Sequence, residues 1–221
     1  MSTKEISLER WLAQLQAGSC VTHFEAGEIS PDTLDIILEA GCHTVLPWNL
    51  QPWQFVVVTS PAGRERLLRQ CLEPGPAATA PALIIALGDP RAWKRAPARL
   101  SEMVISSSLP PGSEADHLHR IRQQWGTGDT ARLFAIAQTH AALQQIRLVA
   151  MAYGISSWWM GEFDAAAIAR DFHIPETLLV VAVLGLGYCV RQAVLPRASL
   201  ARTVFAEAYG LPWHRPAEGK G

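Results

Sequence analysis

Residues 129 to 153 hold neither proline nor glycine, and Leu133, Ile136, Ala137, Ala141, Leu143, Leu148 and Ala152 recur at helical spacing. That period predicts one long helix, closed by Gly154. Apolar and small residues occupy most of its circumference, so burial on nearly all sides is expected. A chain of 221 residues forms one domain, too small to surround such a helix alone. A homodimer sharing the helix follows as an expectation.

The other segments set the fold class. Phe55 to Thr59, Ala82 to Gly88, Ile155 to Met160 and Leu178 to Tyr188 read as buried strands, the last interrupted by Gly185 and Gly187. Cys20 to Phe24 reads as short and extended. Helices are predicted at 4–17, from Ser30-Pro31 to Gly41, at 61–72, at 165–172 behind Asp164, and at 199–209. Four strands and at least as many helices in mixed order, without strict alternation, predict an α+β fold with a small mixed sheet. The whole of 1–221 is expected to be one domain. Its least regular part is 91–129, with short helices at 93–104 and 114–124, expected to be a lid or a partner contact. Residues 191–221 are expected to form a C-terminal arm.

Composition removes several functional classes. A formal net charge of −1 gives no support for nucleic-acid binding. The longest apolar run, 178–190, is too short to span a bilayer, and the charged, amphipathic start does not read as a signal peptide. Cys20, Cys42, Cys71 and Cys189 fall at no metal or redox spacing, so a cytoplasmic protein with reduced thiols and no metal is expected. Eight tryptophans suggest an interface or a flat pocket in addition to a core.

The candidate chemistry centres on Asn49-Leu50-Gln51-Pro52-Trp53, which runs into a Val-rich strand. Two amides at the mouth of a sheet can pair with the edge of a flat heterocycle, or they can simply satisfy their own backbone. Trp48 and Trp158 are the stacking candidates, while His23 and His43 read more readily as ordinary half-buried histidines. His117-x-His119 lacks a carboxylate at ligand spacing, so solvated histidines are expected there. Gly185-x-Gly187 lies within a strand and is no dinucleotide fingerprint. Glu162 and Tyr188 are weak acid–base candidates, and no catalytic side chain stands out.

Taken in order, the motifs resemble the nitroreductase family of FMN-dependent oxidoreductases. They are Asn49-x-Gln51-Pro52-Trp53, Ala80-Pro81-Ala82-Leu83-Ile84-Ile85, Ala152-Tyr153-Gly154-Ile155 and Trp159-Met160-Gly161-x-Phe163-Asp164. Ile174-Pro175-Glu176, Leu184-Gly185-Leu186-Gly187-Tyr188 and Pro196-Arg197 complete the series. The resemblance implies an interlocked homodimer with FMN at the subunit interface. It also implies NAD(P)H as co-substrate and a small aromatic or quinone-like acceptor. By position, Asn49 and Gln51 would meet the flavin or acceptor, the Met160-Gly161 backbone would lie near the isoalloxazine, and Arg197 would contact the phosphate. Ser19, Cys20 and Thr22 would line the phosphate side.

The chain departs from the family at that last place. The family opens with Arg-Arg-Ser-x-Arg or Lys-x-Phe, where this chain has Gly18, Ser19, Cys20 and Thr22 ahead of Phe24. Three lost charge-assisted contacts amount to roughly 5–9 kcal/mol. A flavin-free, nitroreductase-like protein reusing the interface pocket for binding or scaffolding is therefore the alternative expectation.

Overall fold

The computed structural model describes residues 8–17, 19–194, 196 and 198–213. In chain order these hold α1 (Leu8–Ala17), β1 (Ser19–Phe24), α2 (Pro31–Cys42), β2 (Trp53–Val58), α3 (Pro61–Leu68), β3 (Ala82–Gly88) and α4 (Ala96–Ile105). They continue with α5 (Glu114–Trp125), α6 (Gly128–Ala152), β4 (Ser156–Trp159), α7 (Ala165–Asp171), β5 (Leu179–Gly187), β6 (Cys189–Val194) and α8 (Leu200–Thr203).

Helix starts follow side-chain chemistry. Ser30 Oγ accepts from Thr33 N at 3.3 Å, with Pro31 in the first turn. Ser60 Oγ accepts from Gly63 N at 3.2 Å ahead of α3, and Asp164 Oδ1 accepts from Ala167 N at 2.9 Å ahead of α7. Each cap satisfies a backbone donor that has no partner within its helix.

The main sheet is antiparallel in the order β2-β3-β5-β4. Every residue of β3 is buried, which explains its unbroken apolar run. Strand alternation divides β3 between two cores. Leu83, Ile85 and Leu87 pack with Val183, Met160, Phe24 and Ile168. Ala82, Ile84 and Ala86 pack with Ile37, Leu143, Ile146 and Ala150 from α2 and α6. The architecture is α+β with a small sheet, as the sequence predicts, although the strands run antiparallel throughout.

Three details differ from the sequence reading. The chain beyond Tyr188 forms β6, which pairs with β1 in a separate two-stranded sheet, so there are more strands than the four expected. A Cβ on Gly187 would lie 2.7 Å from Pro81 Cδ and 2.8 Å from Phe24 Cδ1. Glycine there lets Phe24 close β1 onto the main sheet. Second, α6 within one chain is buried on one face, through Ala131, Phe134, Ala135, Thr139, Ala142, Leu143, Ile146 and Ala150, which leaves the rest for the second copy that the sequence reading expects. Leu133 is 65% exposed, and Ala137, His140 and Gln144 share its open side. Third, the predicted helix at 199–209 is reduced to α8, followed by a bridge between Phe205 and Pro212. Between β3 and α6, α4 and α5 occupy the places where short helices are expected. They enclose a third apolar cluster of Leu50, Ala92, Ala96, Leu100, Ile121 and Phe134.

Candidate functional site

The Asn49 motif forms a strained turn at one corner of the sheet. Trp48, Asn49 and Gln51 have φ of 62°, 46° and 45°. Asparagine visits this left-handed region readily, but tryptophan and glutamine do not, and each such residue costs about 1–3 kcal/mol unless held from outside. Leu50 is buried at 1% exposure among α4 and α5, and the Trp48 ring lies 4.8 Å from that of His117.

A charged network crosses the same turn. Arg95 Nη1 donates to Asp89 Oδ2 at 2.6 Å, and its Nη2 donates to Gln51 O at 3.2 Å and Leu50 O at 3.4 Å. Arg99 Nη2 donates to Gln51 Oε1 at 3.1 Å, while its Nη1 donates to Glu102 Oε2 at 2.7 Å. The Gln51 side-chain carbonyl is thus already engaged. The Asn49 side chain has no hydrogen-bond partner among the described residues; only its backbone N–H is engaged, to Leu46 O at 3.1 Å.

The remaining predicted residues lie elsewhere. Ser19, Cys20 and Thr22 are on β1, opposite β6, and Thr22 is exposed. Met160 follows β4; its N–H donates to Val183 O at 3.0 Å and its side chain is buried beside Val21 and Phe24. Gly161 is exposed, with open space where a Cβ would stand. The loop behind it is tied to the end of α3, since Leu72 N donates to Glu162 O and Asp164 N to Gln70 O. Glu162 is exposed, Tyr188 packs against the α2–α6 core, and Arg197 lies outside the described residues.

Strand register separates the two groups. Met160 is level with Val183, Ile85 and Val56, whereas Trp53 pairs with Gly88 three residues further along. Three strand spacings and three residues of offset place Trp53 about 17 Å from Met160. The candidate residues of one chain therefore fall into two groups at different corners of the sheet.

The sequence reading missed Asp89, Arg95 and Arg99. A signal existed: the densest basic group, 91–99, directly follows a buried strand ending in Asp89. Only the pairing of β2 with β3 shows that this group meets the Asn49 turn.

A model of the nitroreductase family matches residues 19–188, from β1 through the end of β5, which takes in the Asn49 turn and the Gly161 loop. The chain belongs to the nitroreductase family. This nitroreductase-family chain is 29% identical to an NADH dehydrogenase of Thermus thermophilus, over 69% of its own length and 73% of the relative's. Its fold matches a nitroreductase-like protein from Streptococcus mutans with TM-score 0.80, at 22% identity over 90% of this chain and 98% of that one. It also matches a protein from Exiguobacterium sibiricum solved in complex with FMN, with TM-score 0.74 at 20% identity, over 86% and 92% of the two chains. Among the described residues, no helix is long and apolar enough to cross a membrane.

Proposed function

We propose that this nitroreductase-family chain is an FMN-dependent oxidoreductase that passes electrons from NAD(P)H to a small aromatic or quinone-like acceptor, as a homodimer. The observation that carries the reading is the separation of the candidate residues in one chain, the Asn49 turn leading into Trp53 and the Gly161 loop following Met160, with Trp53 and Met160 about 17 Å apart. A second copy can bring the Asn49 corner of one chain to the Gly161 corner of the other. The open side of α6, with Leu133 at its centre, supplies a surface on which the two chains can meet.

The residues present fit the ring of the cofactor. The unpartnered Asn49 amide offers a donor and an acceptor to the imide edge of a flavin, and the open backbone at Gly161 lets a flat ring approach closely. Ser19, Cys20 and Thr22 would border the phosphate, with Arg197 as its charged partner. When bound, FMN supplies the two-electron relay between NAD(P)H and the acceptor. The chain's own residues would bind and orient: Asn49 would hold the edge of the ring, Trp48 would offer an apolar face near it, and Leu50 and its apolar neighbours exclude water from beneath the turn.

The similarity to an NADH dehydrogenase supports the hydride donor, and the fold shared with an FMN complex supports the cofactor. The deciding experiment is the absorbance spectrum of the purified protein before and after incubation with FMN, with sedimentation run in parallel. A dimer with a flavin spectrum that bleaches on addition of NADH is the expected result. A dimer that stays colourless with added FMN would support the flavin-free alternative.

A further inference from the structure

Three non-glycine residues within four positions adopt left-handed backbone, and one of them is a tryptophan. A conformation of that kind persists only where its surroundings over-determine it. Asp89 and Arg95 meet the turn from outside. The Asp89 side chain is 8% exposed and sits just past β3, where its N–H donates to Pro52 O at 2.7 Å. Its Oδ1 accepts from Arg91 N at 2.8 Å, which orients the carboxylate, and Oδ2 receives Arg95 Nη1. The rigid guanidinium fork of Arg95 then reaches the carbonyls of Leu50 and Gln51. These carbonyls belong to the two residues directly after Asn49, so the clamp acts on the turn without using the Asn49 amide.

Building on the flavin reading above, we infer that Arg95, oriented by Asp89, is a positioning residue for Asn49. Its guanidinium holds the 48–51 turn in the left-handed form that leaves the Asn49 amide free for the ligand. Arg99 has a lesser part, because it holds the Gln51 side chain and not the backbone. The competing explanation is that burial of Leu50 alone fixes the turn, which would make Arg95 an ordinary surface contact.

Arg95→Met in the full-length protein separates the two, since methionine retains most of the apolar stem and loses the fork. Without added flavin, amide hydrogen exchange at residues 48–51 should accelerate at least tenfold while β3 and β5 stay unchanged. Unchanged exchange in the turn overturns the inference. With FMN, the variant should bind about 10- to 100-fold more weakly, the loss expected from one misplaced charge-assisted or amide contact. In an Asn49→Ala background, Arg95→Met should add almost nothing to the loss caused by Asn49→Ala, because the arginine acts through the asparagine. Losses that multiply in the double variant also overturn it. Arg95→Lys keeps the charge without the fork and should restore only part of the affinity. If Arg95→Met does not fold, Asp89→Asn tests the same clamp by the same two readouts. A wild type that takes up no flavin refutes the flavin reading, and the exchange result then decides the clamp by itself.

Discussion

The two corners that carry the candidate residues are built in opposite ways. The Asn49 corner is strained and cross-braced: two arginines and a buried carboxylate fix a turn whose backbone is unfavourable by itself. The β1 corner rests on a two-stranded ribbon whose register shifts between Val21 and His23 and again between His23 and Phe24. Two-stranded ribbons are marginal without a face to pack on, and this one is fastened mainly through Val21 and Phe24. The difference teaches that the half proposed to read the ring is preorganised by the protein. The half proposed to hold the phosphate lacks the family's cations at 18, 19 and 22 and relies on Arg197. On the proposed reading, recognition of the ring edge and retention of the cofactor would be separable in this chain, each open to perturbation alone.

The largest perturbation should come from restoring the phosphate half. Gly18→Arg, Cys20→Ser and Thr22→Lys together return two cations and a hydroxyl, and should tighten FMN binding by roughly 100- to 10,000-fold in a flavin titration. A folded triple variant with unchanged affinity would remove the contrast between the halves.

Cys71 reports on packing beside the Gly161 loop, because it bridges to Phe163. Burial pushes its thiol up from the usual 9.0 to about 11, since the thiolate would lose its hydration. Its thiolate fraction at pH 8 is therefore about 100-fold below that of an unperturbed thiol. Alkylation followed by peptide mass spectrometry should label exposed Cys42 at least about tenfold faster than buried Cys71, because the greater nucleophilicity of a high-pKa thiolate offsets part of the loss in thiolate fraction. Comparable rates would mean that this half opens readily.

Arg197→Ala should weaken FMN retention by about 10- to 100-fold, the loss of one charge-assisted contact. Equal retention would assign the phosphate to other residues. The smallest effect expected is structural: Gly187→Ala forces a Cβ against Phe24 and Pro81 and should destabilise the fold by about 1–3 kcal/mol in denaturant unfolding. Amide exchange in β1 should rise before that in β3. Uniform exchange across both strands would show that β1 is not the weaker attachment.

Much of the fold is legible wherever local chemistry decides it. Ser30, Ser60 and Asp164 announce their helices because a short oxygen-bearing side chain caps a helix from its own sequence neighbourhood. The apolar runs of β3 and β5 announce burial on both faces. β6 is not legible, since Cys189 to Val194 become a strand only by pairing with β1, far away in sequence. The open side of α6 is obscured for another reason. Alanine counts as apolar in a periodicity yet covers little area, so Ala137 beside His140 and Gln144 gives the impression of a buried face. At the site, Asn49 and Gln51 are visible as amides before a strand. The left-handed backbone of Trp48 and the crossing of Arg95 depend on which strand lies next to β2, which no local pattern contains.

The Asn49 turn is fastened to the sheet through Asp89, but also to the helical pair through Leu50, Arg95, Arg99 and the Trp48–His117 contact. Such a mounting behaves as a lever. A shortened loop, a repacked Leu100 or a tilt of α5 would shift the pivot on which the amide rests, without any altered residue approaching the ligand. On the proposed reading, a preference among flat acceptors would be open to retuning from 96–125, at a distance, while the strands beneath stay unchanged.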